Sequence, residues 1–195
     1  MNERDTIIVQ WLSEAHTKEA ELEADLAAHI ALTEKDAYKK RLKGHLKETR
    51  EHKRAVARRI KKLGGAPAAG PEVPGVPNAL SEVAGKAVAT VKGQVGTARA
   101  LVTSTAGTHL RNAQEELREE HVEIAIYTRL EALAEAVGDD ETAKLARRIR
   151  REEERMAKYL SAELPRLVRD IVRDEVPRDQ RRPRRAPRRR ARAAA

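Results

Sequence analysis

Residues 110–137, LRNAQEELREEHVEIAIYTRLEALAEAV, decide the fold. Apolar side chains recur in this stretch at the spacing of an amphipathic helix, and Gly138 follows, as glycine commonly does where a helix ends. The apolar positions are Leu110, Leu117, Ile124, Leu130, Ala134 and Val137. Between Leu117 and Ile124 the inward side must instead present some of the residues Glu120, His121 and Glu123. The stretch therefore predicts a helix whose buried side is interrupted by ionisable residues.

Three other stretches have the same helical spacing of apolar residues. They predict helices over residues 5–32, 35–63 and 141–164, in addition to 110–137. The second helix is expected to follow Thr33, a good N-cap, and to stop at Gly64-Gly65. Pro165 is expected to kink or stop the fourth helix, and a short fifth amphipathic stretch, Leu167 to Val176, follows it.

A long connection separates the second predicted helix from the third. Residues 66–78, APAAGPEVPGVPN, contain four prolines and predict an extended crossover, and the small residues of 79–108 favour at most a broken helix. No strand pattern occurs in the sequence. The order of elements predicts an all-α, ferritin-like antiparallel four-helix bundle in which the crossover joins helices two and three. Two helical hairpins that meet only in a dimer are the alternative.

The composition excludes several classes of site. The chain has no cysteine among its 195 residues, which rules out disulfides, thiolate metal sites and cysteine nucleophiles. Nor does it contain a glycine-rich phosphate loop, a nucleophile elbow or an HExxH motif. No apolar run has the length of a membrane span, and the first residues do not resemble a secretory signal. A cytoplasmic protein without membrane association is predicted, and whether it is an enzyme stays open.

Every predicted helix carries an acidic or histidine-containing interruption near its middle. These are Glu19 in the first helix; His45, Glu48, Thr49 and His52 in the second; Glu120, His121 and Glu123 in the third; and Glu152, with Glu153 beside it, in the fourth. A buried carboxylate needs a partner charge, hydrogen bonds or a metal ion. If the interruptions meet at one level, they form a carboxylate and imidazole site suited to two iron or manganese ions. Glutamates on a solvated flank are the alternative.

The other histidines and one tyrosine have simpler interpretations. His16, His29 and His109 are expected to lie at the surface. Tyr127 is expected to be a core residue with a satisfied hydroxyl group.

These interruptions resemble the motifs of the ferritin-like family typified by the bacterial stress proteins YciE and YciF. The resemblance rests on Glu19 followed by Leu22 and Leu26, on His45-Leu46-Lys47-Glu48-Thr49, on Glu120 to Ala125 with Tyr127, and on Glu152-Glu153. It implies a ferritin-like bundle, a homodimer, and a di-metal centre. The residues implied for that centre are Glu19, His45, Glu48, Glu120, Glu123 and Glu152. The ferritin-like ligand pair Glu-x-x-His is absent from the sequence.

The C-terminal tail holds most of the net charge. Residues 177–195 contain nine arginines and one acidic residue, so they account for +8 of the formal charge of +9. The tail has no apolar periodicity and is expected to be disordered. Its arginines predict sequence-independent binding of nucleic acid or another polyanion. The predicted contacts are Arg181, Arg182, Arg184, Arg185, Arg188, Arg189, Arg190 and Arg192.

Two functions follow from the sequence. The first is a metal-binding stress-response protein that handles iron or peroxide at a di-metal carboxylate site. The second is a metal-free bundle that acts as an interaction protein through its basic tail. Binding of a metal only to the folded state would raise the melting temperature, which distinguishes the two.

Overall fold

The computed structural model describes residues 1–67 and 104–181. There the chain forms four long helices, α1 (Glu3–Leu32), α2 (Asp36–Lys62), α3 (Thr105–Ala136) and α4 (Asp140–Glu175), and a short 3-10 helix, Arg178–Gln180. These ranges contain no strand, which confirms the all-α prediction. Most of the predicted crossover, most of the small-residue segment and tail residues 182–195 lie outside the described residues. Within those ranges no helix is long and apolar enough to cross a membrane.

Polar side chains and glycines mark the helix ends. The side chains of Asn2, Ser104 and Asp139 accept hydrogen bonds from the free backbone N–H groups at the starts of α1, α3 and α4. At the other ends, Gly64 follows α2 with φ of 86° and Gly138 follows α3 with φ of 73°. Because L side chains rarely adopt this backbone conformation, glycine ends both helices where the sequence predicts.

Three predicted boundaries differ from the observed ones. Thr33 does not cap α2: its hydroxyl group donates to the carbonyl of His29 in α1, and Lys35 holds the N-cap position without a side-chain hydrogen bond. α3 begins at Thr105 rather than 110, because Ser104 supplies a cap. α4 does not stop at Pro165, since it runs through this exposed proline to Glu175 and includes the predicted fifth stretch.

All neighbouring helices run antiparallel. The end of α2 meets the start of α4 where Arg59 binds Asp139, while Lys35 at the start of α2 binds Asp170 near the end of α4. α1 packs against α3 in the same sense. α2 and α3 therefore end at the same end of the bundle, which is the one-crossover topology of ferritin-like folds. The alternative of hairpins that meet only in a dimer is wrong, because both hairpins pack together within one chain.

Two apolar clusters form the core. One contains Ile8, Leu12, Val56, Leu130 and Ile149, and the other contains Leu22, Leu26, Leu42, Met156 and Leu160. Each buried aliphatic side chain of this size contributes roughly 1.5–3 kcal/mol through removal from water. The clusters occupy opposite ends of the bundle, and the level between them is filled by polar side chains.

Candidate metal centre

Six ionisable side chains lie between the two apolar clusters, and each is no more than 1% exposed. We call them the central cluster. They are Glu19 from α1, His45 and His52 from α2, Glu120 and Glu123 from α3, and Glu153 from α4. All four helices thus contribute to it, as the interruptions in the sequence predict.

Regular spacing directs these side chains inward. On α2 the buried residues Leu42, His45, Thr49, His52 and Val56 alternate in steps of three and four. This is the spacing of one helix face, so both imidazoles take positions that core residues would otherwise fill.

Glu153 takes its place by the same rule. On α4 the buried residues Ala146, Ile149, Glu153, Met156 and Leu160 follow steps of three and four. Glu153 therefore places a carboxylate at a position on the buried face of α4 that a core residue would otherwise fill.

The cluster contains two triads of possible ligands that share Glu153. Glu19, His52 and Glu153 form one, His45, Glu120 and Glu153 form the other, and the ligand atoms of each lie within 4.8 Å of one another. In the first triad, Nδ1 of His52 lies 2.8 Å from Glu153 and 3.5 Å from Glu19. In the second, Nε2 of His45 lies 2.8 Å from Glu120 and 3.8 Å from Glu153. Glu123 lies in neither triad but is wholly buried beside them.

The facing atoms are close, yet they are not aligned for hydrogen bonding. Among the described residues, most of the buried side-chain polar atoms without a hydrogen-bond partner belong to this cluster. They are Oε2 of Glu19, Nε2 of His45, Nδ1 of His52 and both carboxylate oxygens of Glu120, Glu123 and Glu153. Leaving such atoms unpaired is unfavourable. Atoms that converge on a common space rather than on each other suit a cation placed between them.

Each imidazole is held from the outside by a second carboxylate. Nε2 of His52 is hydrogen-bonded to Glu152 at 2.5 Å, and Nδ1 of His45 contacts Glu48 at 3.4 Å. The side chains of Glu152 and Glu48 are 21% and 36% exposed. A carboxylate at one ring nitrogen fixes a histidine's orientation and leaves the other nitrogen for a metal, as around many metal sites.

Tyr127 closes the cluster on the side of α1. Its hydroxyl group donates to Oε1 of Glu19 at 2.5 Å, so it is a buried core residue with a satisfied hydroxyl, as predicted. Burial raises the pKa of Tyr127, and the nearby carboxylates raise it further. Tyr127 therefore acts here as a neutral donor that orients Glu19.

Burial and mutual repulsion perturb the carboxyl groups. Burial raises the pKa of Glu120 to about 8 and raises the pKa values of Glu19 and Glu123 as well. Burial works in the opposite sense on the imidazoles, but facing carboxylates prevail and raise the pKa of His45 to about 10 and that of His52 to about 11. Without another cation, the cluster therefore keeps protons that a bound metal ion would displace.

The structure places the residues implied by the resemblance in two groups. Glu19, His45, Glu120 and Glu123 lie in the central cluster, whereas Glu48 and Glu152 lie at its rim. His52 and Glu153, which interrupt the apolar pattern but are absent from the implied ligand set, occupy the inner positions instead. Burial of Thr142, Ala146 and Leu160 distinguishes Glu153 from Glu152, because these residues set the register of the inner face of α4.

The sequence pattern does not identify three other buried glutamates, Glu116, Glu119 and Glu163. Glu116 accepts hydrogen bonds from Tyr38 and from His29, which is only half-buried rather than fully at the surface. His109 was also expected at the surface, but it is 3% exposed and its Nε2 accepts the backbone N–H of Glu34.

Of the predicted tail contacts, Arg181 donates to backbone carbonyls at the end of α4, and the others lie outside the described residues.

Comparison with solved structures identifies the same architecture in other proteins. A protein from Xanthomonas campestris matches with a TM-score of 0.68 and 22% identity, covering 89% of this chain and 99% of that chain. The Escherichia coli stress protein YciF matches with a TM-score of 0.61 and 20% identity, covering 87% and 99%. A Desulfovibrio desulfuricans bacterioferritin, described with a diiron site, matches with a TM-score of 0.61 and 18% identity, covering 90% and 86%. These matches confirm the ferritin-like fold.

Sequence comparison gives the family. No curated protein matches the chain. A family model described as a domain of unknown function, DUF892, matches residues 3–173, which include all of α1, α2 and α3 and nearly all of α4. With YciF among its structural neighbours, the resemblance drawn from the motifs is confirmed, and the chain belongs to the DUF892 family.

Proposed function

We propose that this protein binds two iron or manganese ions in the central cluster and uses them to handle iron or peroxide under stress. One observation carries the proposal: six fully buried carboxylate and imidazole groups converge, with most of their facing atoms outside hydrogen-bond alignment. A cluster that served only to hold the helices together would be expected to satisfy these atoms internally.

The donor set fits such ions. Carboxylate oxygens with one imidazole in each triad are ligands that iron and manganese accept, and the chain offers no thiolate. Glu153, which belongs to both triads, would contribute a carboxylate oxygen to each ion. Glu19 with His52 would hold one ion, and His45 with Glu120 would hold the other. Glu123 adds a further carboxyl group at the centre.

The remaining residues keep this donor set in place. Tyr127 orients Glu19 by its hydrogen bond, and the two rim carboxylates orient the imidazoles. The apolar clusters on either side exclude water from both ends of the cluster. When bound, the two ions would supply one-electron oxidation and reduction toward oxygen or peroxide.

Metal titration tests the proposal. The full chain is purified without chelators and titrated with manganous ions, and with ferrous ions under anaerobic conditions, while bound metal and melting temperature are measured. We expect two ions per chain and a melting temperature that rises with metal concentration, because an ion that binds only the folded state stabilises it.

A pair of adjacent variants provides the matched comparison. Glu153→Gln removes the shared carboxylate and is expected to lose both ions, whereas Glu154→Gln, at an exposed position paired with Arg150, is expected to bind metal as the wild type does. Equal binding by the two variants would refute the proposal. An absence of any metal-dependent stabilisation would favour the metal-free interaction protein instead.

A further inference from the structure

The charge of the bundle is segregated by helix. The sequence of α2 contains twelve lysines and arginines against three acidic residues. α1 and α3 carry the opposite excess, with seven acidic residues each against two and three basic ones. The near-neutral total of the bundle therefore conceals a strongly basic helix beside strongly acidic ones.

Exposed basic residues form a straight row along α2. They are Lys40, Lys43, Lys47, Arg54, Arg58 and Lys61, and all six are exposed. At 100° per residue these positions fall within a sector of about 60°, opposite the side that carries His45 and His52. At 1.5 Å per residue the row is about 32 Å long.

A second row runs along α4. Its members are Lys144, Arg148, Arg151, Arg155 and Lys158, all exposed and spaced in steps of three and four. They lie on the side of α4 opposite Glu153, so they too point away from the core. We call the two rows together the basic face.

The rows lie on adjacent helices. Arg58 and Arg148 line one cleft of about 460 Å³ between α2 and α4. The other charged residues of this cleft are Arg59 and Lys62, which both pair with its one carboxylate, Glu141. The same helices meet through the hydrogen bond between His52 and Glu152. The two rows of the basic face therefore lie on neighbouring helices and approach each other at this cleft.

Few carboxylates neutralise this surface. Within residues 1–67 and 104–181, no carboxylate forms an ion pair with any member of the α2 row, and in the α4 row only Arg148 and Arg155 have one, with Glu152. The sequence of segment 68–103 supplies two glutamates against three basic residues, so it carries no acidic excess. Unpaired cations in rows raise the local potential and attract polyanions.

The chemistry of the face selects the kind of polyanion. The large exposed apolar residues of the described chain are Met1, Ile7, Val122, Val168 and Val172, and none lies within either row, so the face has nothing to insert into a membrane. The aromatic side chains of the described residues are all buried or half-buried, so the face offers no fully exposed platform for stacking single-stranded bases. A rigid row of about 32 Å matches one turn of a DNA duplex, which is about 34 Å.

We propose that the basic face of α2 and α4 binds the phosphate backbone of double-stranded DNA without sequence preference. Lysine and arginine contacts to phosphate fix position and supply affinity, whereas reading the sequence needs contacts to base edges. The proposal stands on the surface charges alone and does not depend on the metal centre. It also differs from binding by the C-terminal tail, which is a separate prediction.

Fluorescence anisotropy with a labelled duplex of about 30 base pairs tests the proposal between about 50 and 200 mM salt. All variants are made in the full chain, and each removes three charges. The α2 variant is Lys43→Gln, Lys47→Gln and Arg54→Gln; the α4 variant is Lys144→Gln, Arg151→Gln and Lys158→Gln. The control off the basic face is Arg4→Gln, Arg111→Gln and Arg118→Gln, all exposed. The tail variant is Arg184→Gln, Arg185→Gln and Arg188→Gln.

We expect the α2 and α4 variants to bind on the order of tenfold more weakly and their salt slopes to fall by up to about 2.7, since each phosphate contact contributes about 0.9. The off-face control should stay within about twofold of the wild type. Wild-type affinity in both face variants would overturn the proposal, as would an equal loss in the off-face control or a loss confined to the tail variant. So would binding that is seen with anionic lipid vesicles or duplex RNA but not with duplex DNA.

Discussion

His52 and Glu152 are joined across the α2–α4 interface by a hydrogen bond of 2.5 Å at Nε2, while Nδ1 of the same ring faces the buried Glu153 at 2.8 Å. Two consecutive residues of α4 thus hold the two sides of one imidazole. Glu152 reaches it from the rim and Glu153 from the core. This arrangement would give the two glutamates different roles around an ion bound as proposed.

The rim carboxylates are expected to tune metal affinity rather than to determine how many ions bind. Glu48→Ala and Glu152→Ala should each retain two ions but weaken binding about 10–100-fold, because the imidazoles lose the groups that orient them. Isothermal titration with manganous ions measures both quantities. Glu51→Ala, an exposed glutamate on α2, is the control. Loss of one ion from either rim variant would show that the glutamate is a ligand, as the sequence motifs imply.

Asp139 is expected to be the most sensitive single residue at its end of the bundle. It caps α4 and binds Arg59, which is only 8% exposed. Asp139→Ala removes the ion pair with the buried guanidinium of Arg59. The change should lower the free energy of unfolding by about 3–5 kcal/mol. Urea denaturation measures the change. Asp140→Ala, one residue later and exposed, should change it by less than about 0.5 kcal/mol.

His109 is expected to make stability depend on pH. Its Nε2 accepts the backbone N–H of Glu34, which requires a neutral ring, and burial lowers its pKa from 6.5. Because its pKa is lower in the folded state, His109 binds more protons in the unfolded chain. Its contribution to the free energy of unfolding is therefore complete above about pH 6.5 and is lost as the pH falls below that value.

Melting temperatures at about pH 7.5 and 5.5 measure this effect, because the two values bracket the unfolded-state pKa of histidine. The histidines of the central cluster have raised pKa values, so they stabilise the folded protein at low pH, opposite to His109. The effect of His109 is therefore measured by comparing variants rather than from the wild type alone. His109→Gln should show a smaller fall in melting temperature between the two pH values than the wild type does. His121→Gln, at an exposed position, should leave the change as in the wild type. An unchanged pH response in His109→Gln would contradict the assignment.

Pro165→Ala is expected to stabilise the protein. Proline in a helix interior is about 3 kcal/mol less favourable than alanine, and this one is exposed. About 1 kcal/mol of the gain is offset by the greater freedom of the unfolded chain. Thermal and urea unfolding should therefore show a gain of about 2 kcal/mol, whereas Ser161→Ala one turn earlier should gain no more than about 0.5 kcal/mol. A loss of stability in Pro165→Ala would mean that packing in this part of α4 requires the proline.

Much of the fold could be predicted because the apolar spacing is local information. Leu22 and Leu26 on α1 and Ile149 and Met156 on α4 are core residues in the sequence and in the structure. The continuation of α4 past Pro165 could not be predicted in this way. It depends on packing beyond the proline, where Leu167 is buried, and packing overrides a single unfavourable residue.

The site was harder to predict because adjacent residues on a helix differ by only 100°. Both Glu152 and Glu153 lie between Ile149 and Met156 at acceptable spacing. The burial of Thr142, Ala146 and Leu160 separates them, because these residues share the helix face of Glu153. In the first half of α3 the inward line is mostly polar, through Glu116, Glu120 and Glu123, whereas Leu110, Leu117 and Ile124, which suggest the helix, are only half-buried beside it. A search for apolar periodicity therefore finds the helix but misplaces its inner face.

The two imidazoles of α2 lie two helical turns apart, at positions 45 and 52. A single residue inserted between them would rotate His52 about 100° and lift it about 1.5 Å, away from Glu153. Residues on the outer side of this interval can change without moving either ring. The number of residues in the interval cannot change, so this short stretch should accept substitutions far more readily than insertions or deletions.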